Sequence, residues 1–400
     1  MNVRRSAAVL AATAVIGTAT PVMAASPSPS PSVAIPSGLY GTTDPTYDGV
    51  WRQSLALIAQ FRVDVKPAAK AINWLVGQQC ANGAFAAFRA EPATACDAKV
   101  MADTNSTAAA VQALSAVGEQ EVPIKKAVTW LKSVQNKDGG WGYLPGGPSD
   151  ANSTAVVIGA LNTWGDSEDV KKDGKSPYDA LLDLALPCTD SGAFAYQPDK
   201  KGKLTANADA TAAAVVGALD MSMVTARAAG ESADPVCTDA SDLTPEQAAT
   251  NGASYLAESV KKDGYLKSAL AGAEDRPDYG NTADAVVALA VTGGPKAAQQ
   301  PLTWLEQNSA DWAKQNGPAA YAQLILAASV AGADPRDFGG TDLVKQLNAT
   351  GPEPKATAPA EEKKDEDDGG VSVWWIIGVG LVAGIGVGFL ISSRNKGQQL

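Results

Sequence analysis

A short pattern that occurs twice in this 400-residue chain constrains its fold more than any other feature. The stretch KAVTWLKSVQNKDGGWG, residues 126–142, predicts an amphipathic helix that ends at a glycine turn and is followed by one tryptophan. The stretch KAINWLVGQQCANGAF, residues 70–85, repeats the same residue types at the same spacing. Weaker copies end at residues 194 and 265, and a further copy near residue 304 lacks the glycine turn. Copies that recur every ~40–60 residues predict stacked helical hairpins.

A second helix follows each turn, and it is built almost entirely from small apolar residues. Its clearest copies carry Asn or Asp at the start, as good N-caps do, and they read NSTAAAVQALSAVG, NSTAVVIGALNTWG, ADATAAAVVGALDM and NTADAVVALAVTG. Helices that are apolar all round are buried. With the stretches 47–59 and 317–332, they make six inner helices inside six amphipathic outer helices, the last at 341–349. We therefore predict an all-α fold, an α6/α6 toroid with two concentric rings of helices.

The turn between the two helices explains the repeated glycines. Glycine lets the chain reverse direction without a clash of its side chain. The aromatic residues of the repeat are expected to pack between neighbouring hairpins as structural residues rather than to contact a ligand. These aromatic residues are Trp74, Phe85, Trp130, Trp141, Phe194 and Trp304.

The two ends of the chain predict export and membrane attachment. Arg4 and Arg5, a short apolar run and small residues after it have the pattern of a signal peptide, and an uncleaved anchor is the alternative. Residues 371–392 carry no charge and are long enough to span a membrane, and basic residues follow them. The predicted order is a signal peptide (1–25), a Pro/Ser tether (26–37), the toroid (38–350), a charged Pro-containing linker (351–370), a transmembrane helix (371–392) and a tail (393–400). This order predicts a single-pass protein of the cell membrane with its toroid outside the cell and its C-terminus in the cytoplasm.

The four cysteines lie in the part of the chain that is predicted to be exported: Cys80, Cys96, Cys188 and Cys237. An even number of cysteines in an oxidising compartment indicates two disulfide bonds. Three pairings are possible, and pairing the neighbours in sequence closes the shortest loops at the lowest entropic cost.

The charge balance limits the partners and the chemistry. A net charge of −11 disfavours nucleic acid and anionic lipid surfaces as partners. The chain has no histidine, so it lacks the commonest general base and the commonest zinc ligand. We assign no catalytic residue and no metal site from the sequence.

The pattern Lys-Ala-x-x-Trp-Leu-x-x-x-Gln-x-x-x-Gly-x-Trp at residues 126–141 resembles the QW repeat of squalene-hopene cyclases. These enzymes belong to the terpenoid cyclase and protein prenyltransferase α/α-toroid superfamily, and the resemblance covers most of residues 47–349. Similar toroids occur in complement-type thioester domains and in the helical domain of the cobalamin carriers intrinsic factor and transcobalamin. The resemblance implies the fold, but it does not choose among these functions.

The motifs that the enzymes of this superfamily need are mostly missing. Triterpene cyclases protonate their substrate with an Asp-x-Asp-Asp acid, and the similar run at 365–368 lies in the charged linker. The zinc site of protein prenyltransferases includes a histidine, and the Gly-Cys-Gly-Glu-Gln motif of thioester domains is absent. Paired carboxylates of the kind that glycan hydrolases use in a cavity remain an open possibility.

The resemblance to cobalamin carriers leads to a binding hypothesis. Their inner helices are similar to the runs that begin at Asp103-Thr104 and at Asp150. The chain departs from the carriers because no β domain follows the toroid to form the second wall of a corrin site. We therefore expect a membrane-tethered protein that captures a large amphipathic small molecule, such as cobalamin, for a membrane transporter. The alternatives are an enzyme of the terpenoid cyclase or prenyltransferase type and a cell-surface scaffold that binds protein or glycan.

The geometry of a toroid places the candidate ligand site at one mouth of the barrel. The inner helices all begin there, so their unpaired N–H groups and partial positive charges favour polar or anionic ligand groups. The alternative for each Asn or Asp is that it only caps its own helix. The residues expected at this mouth are Asp103, Asn105, Tyr143, Asp150, Asn152, Tyr196, Asp209, Tyr279 and Asn281, with the tyrosines as the strongest candidates.

Overall fold

The computed structural model describes residues 34–355, apart from residues 98, 168, 231–233, 241 and 270–274. Within these residues the chain forms twelve α-helices and one two-stranded sheet. No helix in this part of the chain is both long enough and apolar enough to cross a bilayer. The signal peptide, the transmembrane helix at 371–392 and the cytoplasmic tail lie outside the described residues, so they stay predictions.

Six helices built from small residues form a closed inner ring. Each helix contacts the next around the ring, and the last returns to the first. Alanine and valine dominate the buried positions of these helices, and short side chains let neighbouring helix axes approach closely. The inner helices are α1 (Gly49–Arg62), α3 (Thr104–Val117), α5 (Ala151–Trp164), α7 (Ala208–Ala218), the first half of α9 (Tyr279–Asn308) and α11 (Pro318–Ala331).

The amphipathic helices form the outer layer. They are α2 (Ala69–Gly77), α4 (Glu121–Ser133), α6 (Pro177–Leu182), α8 (Pro245–Val260), the second half of α9 and α12 (Leu343–Ala349), with a short α10 (Ala310–Asn316) before α11. In α4, for example, Ala127 and Leu131 are fully buried while Lys125 and Lys126 are exposed. The apolar stripe of each such helix packs on the inner ring. The predicted α/α toroid is therefore confirmed.

The helix α9 contains the two predicted helices of this hairpin, joined at a sharp break. Its inner and outer halves meet at Gly294, whose φ of 71° and ψ of −177° interrupt the helical geometry. Pro295 follows at once and has no N–H group to donate to the preceding turn. The chain therefore passes from the inner ring to the outer ring at this point without a separate loop.

The repeated glycine turn packs more closely than the sequence indicated. A Cβ atom at Gly83 would collide with the carbonyl oxygen of Lys126, in the next outer helix. A Cβ atom at Gly139 would collide in the same way with the carbonyl oxygen of Ser176, which caps the outer helix after that. Both glycines have positive φ angles, of 98° and 88°. Glycine at these positions thus lets the turn reverse and also lets it lie directly against the neighbouring hairpin.

Two side chains of the repeat secure this turn. The side chain of Gln135 donates a hydrogen bond to the carbonyl of Gly139 at 2.7 Å. The indole N–H of Trp141 donates to the carbonyl of Leu131 at 2.8 Å, which satisfies a carbonyl at the end of α4. Of the repeat aromatics, Trp141, Phe85 and Phe194 are fully buried, Trp130 is nearly so, and Trp74 and Trp304 are partly buried.

Two disulfide bonds and a short β-sheet stabilise the loops between the rings. The strand β1 (Phe85–Ala86) pairs antiparallel with β2 (Ala102–Asp103), a sheet that the sequence did not predict. Disulfide bonds join Cys80 to Cys96 and Cys188 to Cys237. This is the pairing of sequence neighbours that the loop-closure argument favoured.

The two ends of the toroid meet beside α1. The N–H group of Gly41 donates to the carbonyl of Thr350 at 2.8 Å, and that of Lys355 donates to the carbonyl of Lys66 at 2.9 Å. Tyr40 is fully buried next to this junction. The folded unit thus includes the first residues of the segment that the sequence assigned to the linker.

Candidate functional site

The inner ring encloses a central cavity of about 260 Å³ to which all six inner helices contribute. Its deeper wall is apolar and is formed by side chains such as Leu55, Val156, Val216, Val287 and Leu326. Trp51 adds an aromatic surface from α1. An apolar chamber of this kind, with a few polar groups at defined places, is the usual form of a small-molecule site.

A loop after α7 closes the end of the cavity at which the inner helices finish. Met221, Ser222, Met223 and Ala226 line the cavity from this loop, and residues 221–226 are referred to here as the floor. Side chains of the inner ring hold the floor in place by hydrogen bonds.

Gln112 of α3 accepts a hydrogen bond from the N–H of Met223 at 3.0 Å, and its amide donates to the carbonyl of Val156 in α5, also at 3.0 Å. Arg62, the last residue of α1, donates to the carbonyl of Ala226 at 2.6 Å and to that of Val224 at 3.1 Å. The hydroxyl of Thr225 also donates to Asn162 of α5 at 3.1 Å, so the floor is tied to four of the six inner helices, counting the α7 helix from which it continues.

The polar side chains of the cavity lie mainly in the first two turns of the inner helices. They are Asn105 in α3, Asn152 in α5, Asp209 in α7, Asp284 in α9 and Gln323 in α11. The amide of Asn152 donates to Asp209 at 2.6 Å. The amide of Gln323 donates to Asp284 at 3.5 Å, which is the outer limit for a hydrogen bond. These residues form a polar ring between the mouth and the apolar wall.

Burial shifts the pKa of both carboxyl groups of the polar ring upward. The pKa of Asp284 is raised from 3.8 to about 7, mainly by burial and also by the negative charge of Asp209. Burial also raises the pKa of Asp209, although the hydrogen bond from Asn152 opposes this change. The charge of Asp278, the N-cap of α9, acts on both groups in the upward direction. Asp284 is therefore about half protonated near pH 7 and mostly protonated below it.

No Lys or Arg side chain is among the described residues that line the cavity, and the chain contains no histidine. The first N–H groups of the inner helices are also occupied. Asp103 accepts from the N–H of Ser106 at 2.6 Å, and Asp150 accepts from that of Ser153 at 2.7 Å. The expectation that this end favours anionic groups is thus altered, because the caps themselves supply negative charge to the helix N-termini.

The structure divides the nine residues predicted at the mouth into three groups. Asn105, Asn152 and Asp209 line the cavity. Asp103 and Asp150 are buried N-caps, and Asn281 donates its amide to Asp278 at 2.9 Å, so these three serve their own helices. The three tyrosines form the last group.

The tyrosines occupy three different environments. Tyr279 stacks on Trp312 at 5.5 Å between ring centroids and lies 5.0 Å from Trp304, so it belongs to an aromatic cluster that joins α9 and α10. Tyr196 is 41% exposed, and burial of its hydroxyl together with the charges of Asp150 and Asp209 raises its pKa to about 12. Tyr143 is 46% exposed and lines a separate surface depression of about 540 Å³ beside the Cys80–Cys96 loop.

Sequence reasoning missed Asp284, Gln323 and Gln112, although a signal for them was present. Each is the polar exception within a run of small apolar residues, as in NTADAVVALAVTG for Asp284. A polar side chain on a helix that is otherwise buried needs a partner or a cavity. The prediction considered only the first residues of each inner helix and therefore overlooked the next turn.

Residues 51–224 match the family described as the prenyltransferase alpha-alpha toroid domain. A drimenyl diphosphate synthase from Streptantibioticus cattleyicolor is 37% identical over 81 residues, which are 20% of this chain and 14% of that enzyme. The chain therefore matches only about a seventh of the length of this relative.

Solved structures with similar folds include two terpenoid enzymes. An ent-copalyl diphosphate synthase from Streptomyces platensis has a TM-score of 0.47 at 16% identity, over 71% of this chain and 50% of that one. A type II terpene cyclase from Scytonema has a TM-score of 0.48 at 10% identity, over 71% of this chain and 89% of that one.

The family match and the sequence relative support the terpenoid cyclase-like alternative, and they give no support to the cobalamin-carrier hypothesis. The motif pattern at residues 126–141 and the closed double ring agree with this assignment. Over residues 51–224 the toroid of this chain is therefore similar to the prenyltransferase alpha-alpha toroid family.

Proposed function

We propose that this protein is a terpenoid cyclase-like enzyme that binds an apolar ligand in the central cavity and starts its reaction by protonating it. The observation that carries the proposal is the carboxyl group of Asp284, which lines an apolar cavity and has a pKa raised by burial to about 7. A general acid needs a proton to give at the working pH, and a raised pKa provides it. The toroid family of the chain supports this class of reaction.

The two carboxyl groups of the polar ring have different roles in this proposal. Asp209 accepts a short hydrogen bond of 2.6 Å from Asn152, which stabilises its carboxylate form. Asp284 has only the long 3.5 Å contact with Gln323 to stabilise a charge. When the pair shares one proton, it therefore resides mainly on Asp284, and Asp209 carries the charge.

The chemistry follows from this arrangement. The proton of Asp284 passes to one carbon of a ligand double bond, whose π electrons form the new C–H bond and leave a positive charge on the other carbon. The carboxylates of Asp284 and Asp209 then stabilise that charge in a cavity of low polarity. After ring closure, a carbon next to the cation loses a proton, and the return of that proton to Asp284 restores the starting state. The apolar wall limits the access of water to the cation.

The test is product formation by the purified full-length chain. Geraniol, farnesol, geranylgeraniol and squalene are incubated with the protein, and the extracts are analysed for cyclic isomers by gas chromatography with mass spectrometry. The variant Asp284→Asn should lower the rate by roughly 10²–10⁴-fold, the usual contribution of a general acid. The activity of the wild type should fall as the pH rises above about 7, because Asp284 loses its proton there.

The matched control is Asp342→Asn, which replaces an aspartate that caps the outer helix α12 and does not line the cavity. Asparagine is an equally good N-cap, so this variant should keep its activity. Absence of cyclic product from all four ligands, or equal activity of Asp284→Asn and wild type, would contradict the proposal.

A second proposal keeps the capture of a large amphipathic molecule, with cobalamin as the candidate ligand and a membrane transporter as the partner. The exposed rings of Tyr143 and Tyr196 favour it, because half-exposed aromatic side chains on loops are common in binding sites. A cavity of about 260 Å³ is smaller than the pockets of roughly 300–1,000 Å³ that enclose drug-sized ligands, so a corrin would have to lie across the outside of the mouth.

Thermal unfolding of the full-length chain with and without a corrinoid tests this second proposal. Saturation at about 100 times the dissociation constant should stabilise the fold by about 2.7 kcal/mol. The double variant Tyr143→Ala/Tyr196→Ala should lose that stabilisation while its melting temperature without ligand stays close to the wild-type value. An unchanged melting temperature of the wild type at saturating corrinoid would contradict it.

A further inference from the structure

We propose that the central cavity selects its ligand by the charge of the buried head group, so that it admits an uncharged or positively charged isoprenoid segment and excludes an anionic one such as a diphosphate. That the ligand is an isoprenoid rests on the proposed function above. The selection by charge rests on the groups that line the cavity.

The polar groups of the lining are carboxyl, amide and hydroxyl groups only. From the six inner helices and the floor they are Asn105, Gln112, Asn152, Asp209, Ser222, Asp284 and Gln323. A diphosphate carries several negative charges and is normally bound by Arg, Lys or a metal ion. Among the described residues of the lining there is no basic side chain, and no group of three or more acidic, Cys or His side chains in the described structure is placed to hold a metal ion.

The helix N-termini do not replace the missing basic residues. Free N–H groups at the start of a helix bind phosphate well. In α7 the side chain of Asn207 takes the N–H of Ala210 at 2.8 Å, and in α9 Asp278 takes that of Asn281 at 3.1 Å. The corresponding groups of α3 and α5 are taken by Asp103 and Asp150 in the same way. Three of these four caps are aspartates, so the mouth adds negative charge to that of the polar ring.

The size of the cavity limits the segment that enters it. A volume of about 260 Å³ corresponds to roughly nine groups the size of a water molecule, at about 30 Å³ each. One or two isoprene units with a small head group fill such a space. A chain of the length of farnesol would place its head group and the double bond next to it in the cavity and leave the rest at the mouth.

The proposed reaction also gives the ligand a positive charge inside the cavity. A ligand that becomes a cation during the reaction should be bound more tightly in that state than in its neutral form, because Asp209 and Asp284 attract it and no described residue of the lining carries a positive charge. A stable ammonium compound mimics that cation. The groups whose ionisation controls this attraction are Asp209, Asp284 and Asp278, with Tyr196 beside them at the mouth.

The experiment compares three ligands that share one farnesyl chain and differ only in the head group. They are farnesol, the farnesyl dimethylammonium ion and farnesyl diphosphate. Their dissociation constants for the purified full-length chain are measured at pH 7 by isothermal titration calorimetry. We expect the ammonium ion to bind at least 10-fold more tightly than farnesol, and the diphosphate at least 10-fold more weakly.

The double variant Asp209→Asn/Asp284→Asn removes both charges without changing the shape of the side chains. It should bring the three dissociation constants to within a few-fold of one another, whereas Asp342→Asn should leave the wild-type order unchanged. Binding of the diphosphate as tight as that of farnesol, an unchanged order in the double variant, or no binding of any of the three ligands would each overturn the charge selection.

Product analysis of the same samples separates this inference from the proposed function. The expected order of affinities without any cyclic product would support the charge selection and count against the cyclase. Cyclic product from the diphosphate, together with tight binding of it, would overturn the charge selection and leave the cyclase standing.

Discussion

Replacing Asp284 with asparagine should stabilise the folded protein at neutral and alkaline pH while it removes the proposed acid. Burial in the cavity wall raises the pKa of this carboxyl from 3.8 to about 7. In the unfolded chain the group loses its proton near pH 3.8, whereas in the folded protein it keeps the proton to about pH 7. The folded state thus binds more protons within this window, and the free energy of unfolding falls as the pH rises through it.

The size of the effect follows from the two pKa values. The difference between about 7 and 3.8 is about 3.2, and each unit corresponds to 1.36 kcal/mol, so about 4 kcal/mol of stability is lost above pH 7. Asparagine has nearly the same shape, does not ionise and can still accept a hydrogen bond from Gln323. The variant Asp284→Asn should therefore be more stable than wild type by up to about 4 kcal/mol at pH 8, and should differ little from it near pH 4.

Urea unfolding at pH 4, 6 and 8, with the disulfide bonds kept oxidised, measures this difference. Tryptophan fluorescence and circular dichroism should give the same midpoint, which shows that the transition is cooperative enough for the comparison. Asp342→Asn controls for the loss of one acidic side chain elsewhere. An Asp284→Asn protein that is less stable than wild type at pH 8, or more stable by the same amount at every pH, would refute the reasoning.

Three further predictions concern the frame of the toroid. Gly139→Ala should lower the free energy of unfolding by about 2–4 kcal/mol in chemical denaturation, because the new side chain strains a backbone with positive φ and also collides with its neighbour. Gly118 has a φ of 72° and free space around it, so Gly118→Ala should lose only the stability that the backbone strain costs. Equal losses in the two variants would contradict the close packing at Gly139. Trp141→Phe should cost about 1–3 kcal/mol in the same assay, because it removes the indole hydrogen bond to the Leu131 carbonyl and makes a fully buried side chain smaller. The Leu131 carbonyl keeps the bond from the N–H of Val134 at 3.2 Å, and a neutral result would show that this bond alone is sufficient. Removing the Cys188–Cys237 bond, which closes a loop of 49 residues, should lower the free energy of unfolding by about 4 kcal/mol. Removing the other disulfide, which closes a loop of 16 residues, should lower it by about 3 kcal/mol. The reverse order would contradict the loop-entropy argument.

The fold was predictable because two local signals agree with the global arrangement. The spacing of apolar residues in the outer helices indicates that each buries one stripe. The small-residue helices have no polar face, so they must be buried on all sides. A double ring of helices meets both requirements. Glycine at 83 and 139 marked the turns. The kink at Gly294 was less visible, because Gly-Gly-Pro reads equally well as an open loop between two helices.

The candidate site was predictable only in part, and the reason is physical. Asn105, Asn152 and Asp209 were found because they follow the N-caps, whose position the sequence marks clearly. An inner helix that is apolar all round gives no indication of which side faces the cavity, so Asp284 was not distinguished from a solvated or capping residue. The contacts of Tyr279 with Trp304 and Trp312 could not be predicted, because these rings approach it only in the folded toroid.

The floor that Gln112 and Arg62 hold across the ring has a kinetic consequence. The floor lies across the end of the cavity opposite the mouth, so we expect a molecule that enters at the mouth to leave by the same path. A product that has not yet left the cavity then prevents the next substrate molecule from binding, whatever their chemistry. We therefore expect competitive inhibition by the product. The variant Arg62→Ala removes hydrogen bonds to the floor, so it should open a second exit and weaken that inhibition.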